Sequence, residues 1–313
     1  MRQTTIFHLA LPLCAFAGLS CGTLAWSDEF GPGTKAGVVR SPLIREASGI
    51  VASRKNADVL WVHNDSGYPP HLYAIDTQGN LLGACPVIAA RARDWEDIAI
   101  GPGPDPNQQY LYIGDIGDNE SKYPSVWVYR VPEPDIDAGK PFGEMHIGPA
   151  EALELTYPDG PRDAETLLVD PLNGDIYIIA KRSFFCRVYR ARFPDSPEGP
   201  VVLERVAVLP WGFATGGDVS PDGRRVIVRS PFNAALWIRP DGEPLWKAFG
   251  GKQIGIPLRM ELQGEAICFD HQGQGYFTIG EGANVPLYYF ALTSGADDGG
   301  LSDTAVPDAN RPR

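Results

Sequence analysis

Residues 94–115 read Asp-Trp-Glu-Asp-Ile-Ala-Ile-Gly-Pro-Gly-Pro-Asp-Pro-Asn-Gln-Gln-Tyr-Leu-Tyr-Ile-Gly-Asp. Two apolar runs, Ile98-Ala99-Ile100 and Tyr110-Leu111-Tyr112-Ile113, flank a stretch of Gly, Pro, Asp and Asn. That is the pattern of two short strands joined by a reversal. The same sentence recurs along the chain. Ser48-Gly49-Ile50-Val51 leads to Val59-Leu60-Trp61-Val62, and Glu165-Thr166-Leu167-Leu168-Val169 to Ile176-Tyr177-Ile178-Ile179. Thr215-Gly216-Gly217-Asp218-Val219 leads to Arg225-Val226-Ile227-Val228, and Glu265-Ala266-Ile267-Cys268-Phe269 to Tyr276-Phe277-Thr278-Ile279. The copies start at residues 48, 96, 165, 215 and 265.

Each copy continues into a third apolar run: residues 71–75, 126–129, 187–190, 235–238 and 286–290. Turn signals such as Thr77-Gln78-Gly79-Asn80 and Pro240-Asp241-Gly242 then point to fourth strands at 81–87 and 244–249. Four antiparallel strands in about 50 residues make one propeller blade. The expected fold is therefore an all-β, five-bladed β-propeller. The alternatives are a six-bladed ring and a β-sandwich, but a sandwich has no reason to repeat at a constant interval. The one long interval is assigned to an insertion at residues 131–149 between the third and fourth strands of blade two. The fifth copy has no fourth strand of its own, so residues 37–44 are expected to supply it and close the ring.

The domain layout follows. Residues 1–25 read as a signal peptide, 26–293 as the propeller and 294–313 as a disordered tail. Arg2, the apolar stretch from Ile6 to Leu19 and Thr23-Leu24-Ala25 carry the signal-peptide reading. Gly18-Leu19-Ser20-Cys21 leaves lipoprotein anchoring through Cys21 as an alternative. Either way a secreted or periplasmic location is expected. Cys85, Cys186 and Cys268 remain after the signal segment, without CxxC spacing, which argues against a zinc site or a disulfide framework.

The formal net charge of −12 argues against nucleic acid as a partner, and no later stretch is long and apolar enough to span a membrane. The expected partners are a small anionic molecule, a glycan or an envelope protein, and a monomer is expected.

Repeat phase converts the sequence into a map of the site. First strands line a propeller's channel, and their starts share one face with the ends of the second strands. That mouth should collect Ser48, Glu96, Glu165, Thr215 and Glu265, together with Asn64, Asp65, Asp115, Lys181, Arg182, Arg229, Ser230 and Glu281. Asp94, Asp97, Asp163 and Asp118-Asn119 stand close by in sequence. Three glutamates in one opening repel, so either protons or a cation must relieve them. Glu96, Glu165, Glu265, Asn64 and Asp115 are the expected ligands, and hard oxygen donors suit Ca²⁺. The bland alternative has these side chains capping backbone N–H groups and pairing with the basic residues. Lys181, Arg182 and Arg229 are the candidates for holding an anionic ligand, and His63, Asp65 and Asp118 the candidates for acid–base work.

Four stretches, Asp94-Trp95-Glu96-Asp97-Ile98-Ala99, Gly114-Asp115-Ile116-Gly117-Asp118-Asn119, Arg162-Asp163-Ala164-Glu165-Thr166-Leu167 and Thr215-Gly216-Gly217-Asp218-Val219-Ser220, resemble an uncharacterised group of secreted bacterial propellers. That likeness brings no activity with it. Ser48-Gly49-Ile50 and Glu96-Asp97-Ile98-Ala99 are more loosely similar to phytase-like esterase and SdiA-regulated propellers. Calcium-dependent lactonase and phosphotriesterase propellers also carry carboxylates where first strands begin, and there Glu96, Glu165 and Glu265 would be the counterparts. Those relatives have six blades, so their ligand geometry does not transfer. Two functional expectations result: a propeller that presents an acidic mouth to a ligand or partner, and a Ca²⁺-dependent hydrolase of phosphate or carboxylic esters.

Overall fold

A computed structural model describes residues 30–182, 184–193, 199–261 and 263–293. The expected signal peptide, Cys14, Cys21 and the expected tail lie outside the described residues. Five sheets, each with four antiparallel strands, stand around an axis as five blades. Blade one is built from Ala47–Ala52, Val59–Asn64, His71–Asp76 and Leu81–Pro86. Blade two uses Trp95–Pro102, Gln109–Asp115, Val126–Pro132 and Glu151–Thr156. Blade three uses Ala164–Val169, Ile176–Ala180, Arg187–Ala191 and Glu204–Val208. Blade four uses Gly216–Val219, Arg225–Arg229, Ala234–Ile238 and Ile254–Ile256. Blade five has Gly264–Phe269, Gly275–Gly280 and Val285–Ala291 from the C-terminal side. Its outer strand is Thr34–Val39, which pairs antiparallel with Val285–Ala291. The clasp is thus where it was expected, displaced a few residues towards the N-terminus from 37–44.

Why the inner strands read as unbroken apolar runs is plain from the packing. Each blade is covered on both faces by its neighbours, so adjacent residues serve different cores. Leu167 packs with Ala99 and Tyr112 towards blade two, whereas Leu168 packs with Val226 and Trp237 towards blade four. Ile50 meets Cys268 and Ile279 across the closure, and Val51 meets Ile98 and Leu111. Ile227 and Ile267 share the remaining junction. The three cysteines are free and buried in these cores.

Buried carboxylates lock the inner strands together. Asp97 accepts the N–H of Ile98 at 2.9 Å and that of Leu167, in the next blade, at 3.0 Å. Asp218 does the same with Val219 and Phe269, both at 2.8 Å. Burial raises both acids, Asp97 well above the ordinary range and Asp218 to about 6.

The links between third and fourth strands reach back over the preceding blade. In blade two, Gly143–Glu144 adds a parallel strand to the outer edge of Leu81–Pro86, and Glu133 anchors the start of the same link. Its carboxylate accepts from Trp61 Nε1 at 2.9 Å and from the N–H of Lys55 at 3.1 Å. In blade three, Val201–Val202 pairs in parallel with Glu151–Thr156 of blade two. In blade four the link is a 3₁₀-helix, Leu245–Gly250, whose Leu245, Ala248 and Phe249 are buried in the core shared with blade three. This corrects the expectation of a strand at 244–249. The apolar spacing 245, 248, 249 has helical rather than alternating period, and the fourth strand follows it at Ile254–Ile256. Outer edges covered in this way are closed to foreign strands.

Candidate functional site

One local device builds the channel mouth. Pairing between the first and second strands slips by one residue between Ala47 and Gly49, Trp95 and Asp97, Ala164 and Thr166, and Gly264 and Ala266. The bulged residues are Ser48, Glu96, Glu165 and Glu265. A bulge re-aims a side chain that regular pairing would direct into the sheet. Blade four runs from Gly216 to Val219 without a slip. In the blades lacking the glutamate, a hydroxyl stitches to the next blade instead. Ser48 Oγ donates to the Glu96 carbonyl at 2.6 Å, and Thr215 Oγ1 to the Gly264 carbonyl at 3.3 Å.

Glu96, Glu165 and Glu265 act on one another electrostatically but do not form a cluster with oxygens within 4.8 Å of one another. Among the described residues, the three carboxylates whose oxygens lie within 4.8 Å of one another are Asp65, Asp94 and Glu96. Asp65 directly follows the second strand of blade one, and Asp94 and Glu96 stand at the start of the first strand of blade two. Glu96 is only 5 % exposed. Burial and then the charge of Glu165 push it well above the ordinary range. Burial likewise lifts Asp94 to about 6 and raises Asp65. Gly117 lies directly against the cluster, where a Cβ would overlap Glu96 Oε1 and Asp94 Oδ2.

Glu165 instead forms a buried ion pair with Lys181, although its other oxygen has no partner. Glu265 is held up at about 7 by burial and by Glu165. Glu281 sits beside it and is raised to about 8 by burial and by the Glu265 charge, with Gln263 Nε2 donating to it at 2.6 Å. The expected ligands Glu96, Glu165 and Glu265 thus have different near neighbours: Asp65 and Asp94 for Glu96, Lys181 for Glu165, and Glu281 for Glu265.

Asn64 and Asp115 are occupied by backbone. Asn64 Oδ1 accepts the N–H groups of Arg45 and Glu46 at 2.9 and 3.1 Å. Asp115 Oδ1 accepts the Asp94 N–H at 2.7 Å, which positions Asp94 for the cluster.

The basic candidates divide. Lys181 is central, and its charge is felt by both Glu165 and Glu265. Arg182 bonds Asp163 at 2.5 Å and also Asn119, with half of its side chain exposed. Arg229 is 0 % exposed and pairs with buried Glu261 at 2.8 Å, so it braces blades four and five and cannot meet a ligand. His63 is equally buried. Its Nδ1 faces the Asn64 carbonyl, its ring meets Trp95 edge-on, and burial lowers it to about 4, so it stays neutral beneath the mouth. Asp118 caps its own loop by accepting the Tyr123 N–H at 2.7 Å. Ser230 likewise closes the Ser230–Asn233 turn.

The sequence reading missed the joining of Asp65 to Asp94 and the role of Gly117. The Gly-Asp-Ile-Gly-Asp-Asn stretch at 114–119 was their visible signal.

No protein-family model matches the sequence, and no curated protein matches it significantly. Solved structures that align with it include the Kuenenia stuttgartiensis hydrazine synthase, at 12 % identity and TM-score 0.40 over 86 % of this chain and 98 % of that one. The Neurospora crassa Pan2 WD40 domain aligns at 9 % identity and TM-score 0.44 over 87 % and 98 %. An auxiliary nutrient binding protein from Bacteroides thetaiotaomicron aligns at 11 % identity and TM-score 0.44 over 79 % and 69 %. Likeness at this level transfers no activity. None of the described helices is long and apolar enough to cross a membrane.

Proposed function

We propose that this chain is a ligand-binding propeller whose acidic mouth holds a divalent cation of the calcium type on Asp65, Asp94 and Glu96. One observation carries the reading: a buried carboxylate, Glu96, has an oxygen within 4.8 Å of two further carboxylates, and the charges that act on it most strongly are the acids Glu165, Asp65, Asp94 and Glu265. All-oxygen donors suit Ca²⁺, which also accepts water and carbonyl oxygens to complete its shell. Asp163 and Glu165 engage Arg182 and Lys181, so those cations stand beside the cluster, where they suit the anionic part of a ligand. Ester hydrolysis draws less support. Of the acid–base candidates, His63 is buried and Asp118 is engaged in its own loop.

Calorimetric titration of chelator-stripped protein with CaCl₂ tests the proposal. One site per chain is expected for the parent and for Glu144→Gln, a control at an exposed position. Asp94→Asn and Glu96→Gln should each weaken binding at least about tenfold, close to 1.4 kcal/mol. Absence of calcium-dependent heat in the parent, or equal binding by Glu96→Gln, sinks the cation site.

A further inference from the structure

The rim of the mouth over blades three to five carries large apolar side chains that are exposed. Phe184 and Phe185 lie between the second and third strands of blade three, and Phe232 occupies the same link in blade four. Phe213 and Met260 lie in the connections that lead into the first strands of blades four and five. In an antiparallel blade all of these links fall on the mouth face. Phe232 is 86 % exposed, Met260 98 % and Phe213 58 %. A cavity of about 190 Å³, lined by Trp211, Phe232, Gln253 and Leu258 among others, opens beside Phe232. Exposed apolar groups gathered on one face mark an interaction site more often than scattered ones do.

Phe213 is the telling residue. Its φ is +65°, a left-handed conformation that a bulky side chain adopts only under constraint. The constraint is visible. Its N–H donates to the Lys181 carbonyl at 3.1 Å, and the Cys186 N–H donates to the Trp211 carbonyl at 2.9 Å. On the other side Thr215 is bonded to Gly264. A strained loop tied at both ends thus displays an aromatic ring to solvent, between Lys181 and the strand that carries Glu265. Glycine would fit that backbone better, so the ring itself is what the site retains.

The charge beside the rim selects the occupant. Glu265 and Glu281 share one sector of blade five, and Gly216 lets the first strand of blade four abut the Glu265 backbone. The chain as a whole carries −12. An anionic lipid surface is repelled by such a face, and so is a second copy of this chain. We propose that the rim docks a segment of a partner protein in which a Lys or Arg side chain is flanked by apolar residues. The basic group enters the Glu265–Glu281 sector, and its neighbours pack on Phe213, Phe232 and the cavity beside Trp211. Buried aromatic anchors next to a paired charge are the usual centre of a protein interface. The apolar rim belongs to blades three to five and the Asp65–Asp94–Glu96 cluster to blades one and two, and although Glu265 and Glu281 feel the Asp65 charge, Phe213→Gly tests the rim and Asp94→Asn the cation site.

The probe is a capped synthetic pentapeptide, Leu-Phe-Arg-Phe-Leu, measured by calorimetry or fluorescence anisotropy. Its comparators carry citrulline in place of Arg, or Ser in place of both Phe. The Arg peptide should bind, more tightly at low salt, and each comparator should lose about tenfold or more. Phe232→Ser and Glu265→Gln should each weaken the Arg peptide similarly. Phe213→Gly is the decisive variant: it should lose affinity while its Tm stays level or rises. The proposal is overturned if no peptide binds, if the citrulline peptide binds as well, or if Phe213→Gly keeps full affinity. Rim-dependent sedimentation with phosphatidylglycerol or phosphatidylcholine vesicles in place of peptide binding would also overturn it.

Discussion

Raising the pH of chelator-treated protein from about 5 to about 8.5 should lower its stability, and calcium should restore most of the loss. Burial, and for Glu265 the neighbouring Glu165 charge, lifts these two glutamates from an ordinary 4.5 to about 7. The unfolded chain releases the same protons near pH 4.3. Between those values the folded protein therefore holds protons that the unfolded chain has lost, and stability falls as pH rises. The contribution is complete below the unfolded value and gone once the pH passes the folded one. For a single carboxyl the loss is about 3 kcal/mol. The Glu265 rise already includes the Glu165 charge, so the two titrations are coupled and doubling the figure would overcount. A loss of about 3 kcal/mol corresponds to roughly 6–12 °C in Tm for a domain of this size. Calcium at about 100 times its Kd returns about 2.7 kcal/mol. Urea denaturation across this pH range, with chelator and with calcium, measures both effects. A flat or rising stability curve in chelator would refute the reasoning, and so would the same slope in Glu165→Gln and Glu265→Gln.

Two further outcomes follow from packing. Gly117→Ala places a methyl where Glu96 Oε1 and Asp94 Oδ2 lie. Calorimetry should then show calcium affinity falling by about tenfold or more, while circular dichroism stays native. Arg229→Met leaves Glu261 buried without its cation. Urea unfolding should register a loss of about 3–5 kcal/mol, and a change below about 1 kcal/mol would show that the pair does not brace the ring.

The fold was legible because a propeller writes its repeat into the chain. Apolar runs beginning near Ile50, Ile98, Leu167, Val219 and Ile267 each need two neighbours to cover them, so their spacing already implies a closed ring. The helix at Leu245–Gly250 was misread because a Pro-Asp-Gly turn precedes it, and the period of three apolar residues is a short signal. Strand phase also brought Glu96, Glu165 and Glu265 to one face. What phase cannot convey is azimuth around the channel and competition for each oxygen. Lys181 takes Glu165, backbone N–H groups take Asn64 and Asp115, and Asp65 crosses from the neighbouring blade to join Asp94. Strand phase alone put Arg229 at the mouth, because it ends the second strand of blade four. Its real surroundings, Glu261 and the Ala266 carbonyl, come from the next blade.

The backward reach of the links between third and fourth strands gives the ring a direction in time. Leu81–Pro86 has its outer edge covered only when Gly143–Glu144 exists, and Glu151–Thr156 only when Val201–Val202 exists. During synthesis each blade therefore waits for its successor before its edge is sheltered. Thr34–Val39, made first, waits longest, because its partner Val285–Ala291 is among the last strands to be made. The ring is sealed by joining the oldest strand to the newest, so a truncated chain lacks the seam as well as the missing blade.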